Sequence, residues 1–383
     1  MKKFLAAIAA AVLSLSIAHA QTVPPPNIAA KSWLLLDATS DQVLAASNPD
    51  LRIGPASLTK LMTAYVVGNA IEDKRLSMDQ MVQVSTNAWK VPADSSKMFL
   101  DPRTPVSVRD LLYGLIVQSG NDAAIALAEA TAGTTGAFVS LMNQEAQRMG
   151  LKSTHFANPD GLPDPNNYST ARDLAVLSDH IVHDHPEFFK IYAVKDFTYN
   201  HIKQPNRNRL LWLDPSVDGL KTGHIEDTGY CLIATAKRPS GNNERRLISV
   251  VLGTASDQAR TQESQRLLNW GFQNFDVVKL YAKGQAVATP AVWKGSKDTV
   301  KVGFTHDVYI TVPKGEANGI KPPVLERKDP LIAPIQEGAQ IGTIKVTGAD
   351  GKVLAELPAV ALEQVDQAGI FGRAVDAVRM WMH

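Results

Sequence analysis

The spacing of apolar positions divides the chain into four stretches. The first is a mostly apolar run from Phe4 to Ile17, preceded by Met1-Lys2-Lys3 and followed by Ala18-His19-Ala20. A basic start, a short apolar centre and small residues at the end mark an export signal over residues 1–20, with cleavage expected after Ala20. The run falls short of the ~20 residues a spanning helix needs, which disfavours a transmembrane anchor. Val23-Pro24-Pro25-Pro26 then reads as a stiff leader.

The second stretch, residues 21–275, mixes the strand and helix periods. Ser32 to Asp37 and Gln42 to Ala46 read as strands joined by a polar turn. Gly54-Pro55 opens a helix on which Leu58, Leu61, Met62, Tyr65, Val66 and Asn69 share one face. Ser107 caps a helix that ends at Ser119-Gly120-Asn121. Helices over Asp122 to Ala132 and Gly136 to Met149 come next, the latter closed by Gly150. Residues 158–167 form a long run of turn formers, and Thr170 caps a helix through Leu177. From Leu220 the period of two returns in three strands, 220–224, 230–237 and 246–252, whose short connections make them antiparallel neighbours. A helix from about Asp257 to Phe275 closes the stretch. Strands at both ends with helices between them predict an α/β (α+β) domain, with an antiparallel sheet covered by helices on both faces.

Residues 276–362 alternate in strand fashion, punctuated by glycine and proline, and predict a small all-β domain. In residues 363–383 the apolar positions Ile370, Phe371, Ala374, Val375, Val378, Trp381 and Met382 follow helical spacing. An amphipathic helix lying in a membrane interface is the favoured reading over one packed on its own domain, because a terminal Trp suits an interface. Its charges nearly balance, so binding would rest on apolar burial.

Composition narrows the function. A formal charge of +1 over 383 residues gives no electrostatic footprint for nucleic acid. Cys231 is the only cysteine, so no disulfide can form within the chain. It lies in the apolar run Tyr230-Cys231-Leu232-Ile233-Ala234 and reads as a buried strand residue, not a nucleophile.

Three short motifs carry chemistry: Ser57-Leu58-Thr59-Lys60, Ser119-Gly120-Asn121 and Lys221-Thr222-Gly223. A lysine three residues after a serine on a helix shares its face, and the helix N-terminus favours negative charge on the serine oxygen. Lys60 can act as a base only when neutral, and burial or a nearby cation such as Lys221 lowers its pKa. Ser119 can pass a proton between a lysine and a leaving amine, and Asn121 can hold a substrate amide. Lys221-Thr222-Gly223 fits a strand edge on which an extended peptide docks. Gly223 removes a side chain where backbones approach. The N–H groups of His224 and Ser57 are candidates for an oxyanion hole. Arg260 is placed to join Thr222 at a substrate carboxylate. His180, His183 and His185 admit a metal site, but polar residues at a helix end are the favoured reading. No metal and no cofactor is expected.

At these residues the chain resembles the serine DD-peptidase and β-lactamase superfamily, and more closely the low-molecular-mass penicillin-binding D-alanyl-D-alanine carboxypeptidases. Tyr168-Ser169-Thr170-Ala171-Arg172-Asp173-Leu174, Asp218-Gly219-Leu220 and Leu268-Asn269-Trp270-Gly271-Phe272 extend the likeness. The resemblance implies removal of the terminal D-alanine from peptidoglycan pentapeptides through an acyl-enzyme on Ser57. Lys60 would be the base, Ser119 and Lys221 the proton relay, and Arg260 with Thr222 the carboxylate site. It also implies covalent capture of β-lactams, a part in cell-wall remodelling and cell shape, and a periplasmic place at the inner membrane. The middle motif is Ser-Gly-Asn, where class A β-lactamases typically have Ser-Asp-Asn. None of Glu129, Glu145 and Glu187 stands in their deacylating Glu-x-x-Leu-Asn setting. Efficient antibiotic hydrolysis is therefore the weaker expectation. A non-catalytic cell-wall binder and a membrane scaffold are the alternatives from other classes. No Gly-x-Ser-x-Gly elbow supports a Ser-His-Asp hydrolase.

Overall fold

The computed structural model describes residues 23–241 and 243–369. The export-signal span 1–20 and the expected tail helix from Ile370 on lie outside the described residues. The chain forms two compact units. Pro25–Ala38 and Leu44–Gly271 make the first, whereas Thr39–Val43 group with the residues from Phe272 onward.

The first unit is built on a five-stranded sheet. Its strands are β1 (Ser32–Asp37), β2 (Gln42–Ser47), β3 (Val217–Ile225), β4 (Gly229–Ser240) and β5 (Asn243–Thr254), in the order β2-β1-β5-β4-β3. β1 runs antiparallel to β5, β5 to β4 and β4 to β3, with Leu35 opposite Ser249 and Lys221 opposite Ile233. All six residues of β1 are buried, so both of its faces are covered. That two-sided burial is why β1 reads as a continuous apolar run. β3 is an edge strand.

Helices α1 (Lys60–Glu72), α2 (Val108–Tyr113), α3 (Asn121–Ala132), α4 (Thr135–Arg148), α5 (Ala171–Asp184) and α6 (Asp257–Asn274) complete the unit. Their starts obey local chemistry. The side chains of Ser107, Thr134 and Thr170 accept from the backbone N–H three residues on. α5 packs on β1 and β5. At Gly271 on α6 an added Cβ would meet Leu35 Cδ2 at 2.6 Å and Leu247 Cδ1 at 2.8 Å, so that helix lies close on the sheet.

α1 departs from the one-faced expectation. Thr63, Ala64, Val67 and Gly68 are buried along with the predicted stripe apart from the half-buried Asn69, because α3, α4 and α5 all pack around it. A hairpin of Asp196–Tyr199 and Ile202–Pro205, which the periodicity does not announce, sets Phe197 5.5 Å from the Tyr113 ring.

The second unit pairs β6 (Phe275–Tyr281) with β9 (Val308–Pro313). Its five-stranded sheet contains β7 (Ala286–Ala288), β8 (Val302–Gly303), β10 (Val324–Arg327), β11 (Gln340–Thr347) and β12 (Val353–Ala361), in the order β7-β8-β12-β11-β10. Val300, Val302, Ile310, Val346 and Ala359 are fully enclosed in its core. The start of the expected tail needs correcting. Residues 363–369 are not helical: Val365 bridges Ile335 and is fully buried in this core, and Gln367 bridges Gly295. Burying Val365 removes apolar surface from water, and that holds the segment against the β-unit.

Candidate active site

The first motif straddles the start of α1, with only Lys60 on the α-helix. Ala56–Thr59 form a 3₁₀ turn that runs into α1, and Ala56 before Ser57 has φ +51°. In a 3₁₀ turn residues i and i+3 eclipse. Lys60 Nζ accordingly lies 3.1 Å from Ser57 Oγ. It also donates to Asn121 Oδ1 at 2.7 Å and to the backbone oxygen of Asp160. Lys60 is 1% exposed. Burial brings its amine down from 10.5 to about 8; the Arg207 charge pushes the same way, and Asp160 and Asp122 oppose it.

The second motif sits in a forced bend. A single π-turn, Gly114–Gln118, ends on Ser119 at φ +67°, and α3 starts two residues later at Asn121. The left-handed conformation of Ser119 is sparsely populated by non-glycine residues, and such strain concentrates at functional sites. Ser119 Oγ is buried with no partner among the described residues.

The third motif lies on the edge strand β3. An added Cβ at Gly223 would meet Leu58 Cγ and the oxygen of Pro55, each at 3.2 Å. Glycine there lets the strand close on the turn that bears Ser57. Lys221 is buried and donates to the backbone oxygen of Thr222 at 3.2 Å. Its amine is held well below the lysine range, by burial first and then by Lys60, Arg207 and Arg260.

Ser57, Ser119, Asn121, Thr222, Gly223 and His224 line one cavity of about 330 Å³, joined by Arg260. Arg260, on α6, commits both terminal nitrogens to the protein, while its Nε is buried with no partner among the described residues. Nη1 donates to the oxygens of Gly223 (3.0 Å) and Cys231 (3.3 Å), and Nη2 pairs with Asp257. Tyr230 lies between two candidates, its ring centroid 4.0 Å from that of His224 and 5.6 Å from the Arg260 guanidinium carbon.

Sequence reasoning misses several residues of the site, among them Asp160, Ser95, Ser96 and Arg207. Arg207 lines the same cavity and is exposed, with no hydrogen-bond or ion-pair partner among the described residues. It comes just after the unannounced hairpin, in Asn206-Arg207-Asn208-Arg209, and nothing in that spacing distinguishes it from a surface arginine.

Residues weighed for other chemistry are engaged elsewhere. His180 pairs with Asp184, His183 with Asp179 and His185 with Glu72. Cys231 is fully buried, and burial pushes its thiol up to about 11. Glu129 accepts from Asn87, while Glu145 and Glu187 pair with Arg148 and Lys190. The carboxylates that line the cavity belong to Asp94 and Asp160.

Comparison with known proteins places this geometry. Residues 19–256 match the model of the D-alanyl-D-alanine carboxypeptidase family, and residues 275–367 match the penicillin-binding protein 5 C-terminal domain. The D-alanyl-D-alanine carboxypeptidase DacA of Haemophilus influenzae is 46% identical over 356 residues, which span 92% of this chain and 90% of that one. The crystal structure of penicillin-binding protein 5 from Haemophilus influenzae superposes with a TM-score of 0.84 at 46% identity, over 90% of this chain and all of that one. Penicillin-binding protein D2 of Listeria monocytogenes, in a cefotaxime-bound form, gives 0.59 at 31% identity over 65% of this chain and all of that one. The chain thus belongs to the D-alanyl-D-alanine carboxypeptidase family of serine peptidases, carrying the β-domain of penicillin-binding protein 5 behind the catalytic unit.

Proposed function

We propose that this protein removes the terminal D-alanine from peptidoglycan pentapeptides through an acyl-enzyme on Ser57. The observation that carries the reading is the buried Lys60 amine, brought down to about 8 and 3.1 Å from Ser57 Oγ. Neutral Lys60 takes the Ser57 proton as the oxygen attacks the penultimate D-alanine carbonyl. The N–H groups of Ser57 and His224 receive the developing oxyanion. Ser119, with Lys221 behind it, hands a proton to the departing D-alanine nitrogen as the C–N bond breaks. Asn121 holds the substrate amide, and the peptide lies along the β3 edge beside Gly223. Thr222 and Arg260 face its terminal carboxylate. Arg207 adds an uncommitted guanidinium to that end of the cavity, suited to an anion. Water then releases the shortened peptide.

β-Lactams enter as mimics of the same acyl donor, in keeping with the cefotaxime-bound relative. Among the described residues no glutamate lines the cavity to activate a hydrolytic water, which favours a long-lived adduct over antibiotic turnover. The protein works outside the cytoplasm after removal of residues 1–20, held at the inner membrane by the tail, whose sequence spacing predicts an amphipathic helix. The β-unit serves as a spacer; its deletion with the tail kept should impair action on sacculi and spare small peptides. Mass spectrometry after incubation with a D-Ala-D-Ala peptide, with and without penicillin, tests the central reading. Loss of one D-alanine and a penicillin adduct on Ser57 are expected, both absent in Ser57→Ala. Rapid penicillin turnover with the peptide untouched would move the protein to the β-lactamase reading. An inert Ser57 with cell-wall binding intact would favour the non-catalytic binder.

A further inference from the structure

The carboxylate of Asp122 comes directly after the second motif and touches no reacting group; its charge acts on Lys60 only from a distance. It is 2% exposed, deeper than ordinary for an aspartate. Its two oxygens accept four backbone N–H groups. Oδ1 takes Met98 at 2.9 Å and Ala123 at 2.9 Å; Oδ2 takes Phe99 at 2.9 Å and Leu100 at 3.1 Å. Three successive N–H groups converge on one carboxylate around Phe99, whose φ is +70°. The Asn121 N–H adds a bond of 2.8 Å to the oxygen of Ser96. The segment 96–100 is thereby fastened to the bend that carries Ser119 and Asn121. Ser96 at its start and Ser95 just before it line the cavity together with residues of the β3 edge.

The same arrangement accounts for the glycine in Ser-Gly-Asn. A Cβ at Gly120 would meet Asp122 Oδ1 at 2.7 Å and the Met98 nitrogen at 3.1 Å. The space a side chain would take at 120 is filled by the carboxylate from 122 and the backbone it holds.

We infer that Asp122 is a positioning residue that fixes the Ser95–Ser96 wall of the cavity, and that this wall aligns extended peptide substrates. The inference rests on the acyl-transfer reading above. Asparagine cannot replace the carboxylate. Its amide NH₂ would face N–H donors where an oxygen now accepts two of them, and the latch would open. A stem peptide needs both walls, whereas a small β-lactam needs only the neighbourhood of Ser57.

The test compares wild type with Asp122→Asn at pH 9, where Lys60 is largely neutral. Amide exchange at Met98, Phe99 and Leu100 is expected to accelerate. KM for a stem pentapeptide should rise about tenfold while kcat and acylation by benzylpenicillin stay within about threefold, as for lost ground-state alignment. Asp122→Glu keeps the charge but moves the accepting oxygens by one methylene, and gives the same split in a milder form should Asp122→Asn fail to fold. Unchanged exchange at residues 98–100 would overturn the inference. So would an unchanged KM, or a parallel fall of peptide turnover and penicillin acylation. Absence of pentapeptide turnover in the wild type would instead sink the underlying reading.

Discussion

The Lys60 amine makes the sharpest quantitative claim. Its drop from 10.5 to about 8 corresponds to about 3.4 kcal/mol against the ammonium form. At pH 7 an amine of pKa 10.5 is neutral in about 0.03% of molecules, and one of pKa 8 in about 10%, a gain of roughly 300-fold in competent base. The base must be uncharged and the fold lowers its pKa, so acylation rises with pH and levels off above the depressed value. Stopped-flow acylation by a fluorescent penicillin from pH 5 to 10 should show one ascending limb near pH 8. The limb belongs to the coupled Lys60–Lys221 pair as a whole. Arg207→Gln supplies the control. Removing a cation that lowers Lys60 must raise its pKa, so the limb moves to higher pH and the rate at pH 7 falls. A profile flat from pH 6 to 9, or a limb that Arg207→Gln moves to lower pH, would refute the assignment of Lys60 as the base.

Arg260 and Arg207 share a cavity but not a structural role. Arg260→Ala strips a buried cation from two carbonyls and Asp257 and should cost about 3 kcal/mol in urea unfolding, whereas the unpaired, exposed Arg207→Ala should stay within about 0.5 kcal/mol; equal costs would contradict this. Gly161 has φ +80°, and a Cβ there would lie 1.9 Å from the Ala56 oxygen. Gly161→Ala should therefore destabilise by about 2 kcal/mol or more and slow Ser57 acylation, seen by thermal melts and penicillin labelling. Truncation after Gly369 should abolish sedimentation with phospholipid vesicles and leave soluble-peptide turnover intact; a truncated protein that still sediments would remove the tail from the membrane reading.

Much of the architecture was open to inspection in the residues. The buried strands announced themselves as apolar runs, Ser107 and Thr170 as caps, and the three motifs as serine, lysine and asparagine at spacings that local geometry converts into proximity. Ser57 and Lys60 are three residues apart in a helical turn, so their meeting is a short-range fact. The 3₁₀ character of that turn was not visible, because it depends on how Ala56 is held against Gly161 and Gly223.

What only folding decided is whatever joins distant segments. The Asp160 oxygen on Lys60 and Arg207 at the cavity come from loops that carry no period and no motif, and only packing brings Asn121 of the second motif to the amine of the first. Val365 entering the β-unit core, and Arg260 bound to carbonyls of β3 and β4, likewise result from packing. Apolar periodicity and motif spacing report on neighbours within a few residues. Burial, which makes an amine at position 60 into a base, is set by every segment that closes over it, and no local pattern records that sum.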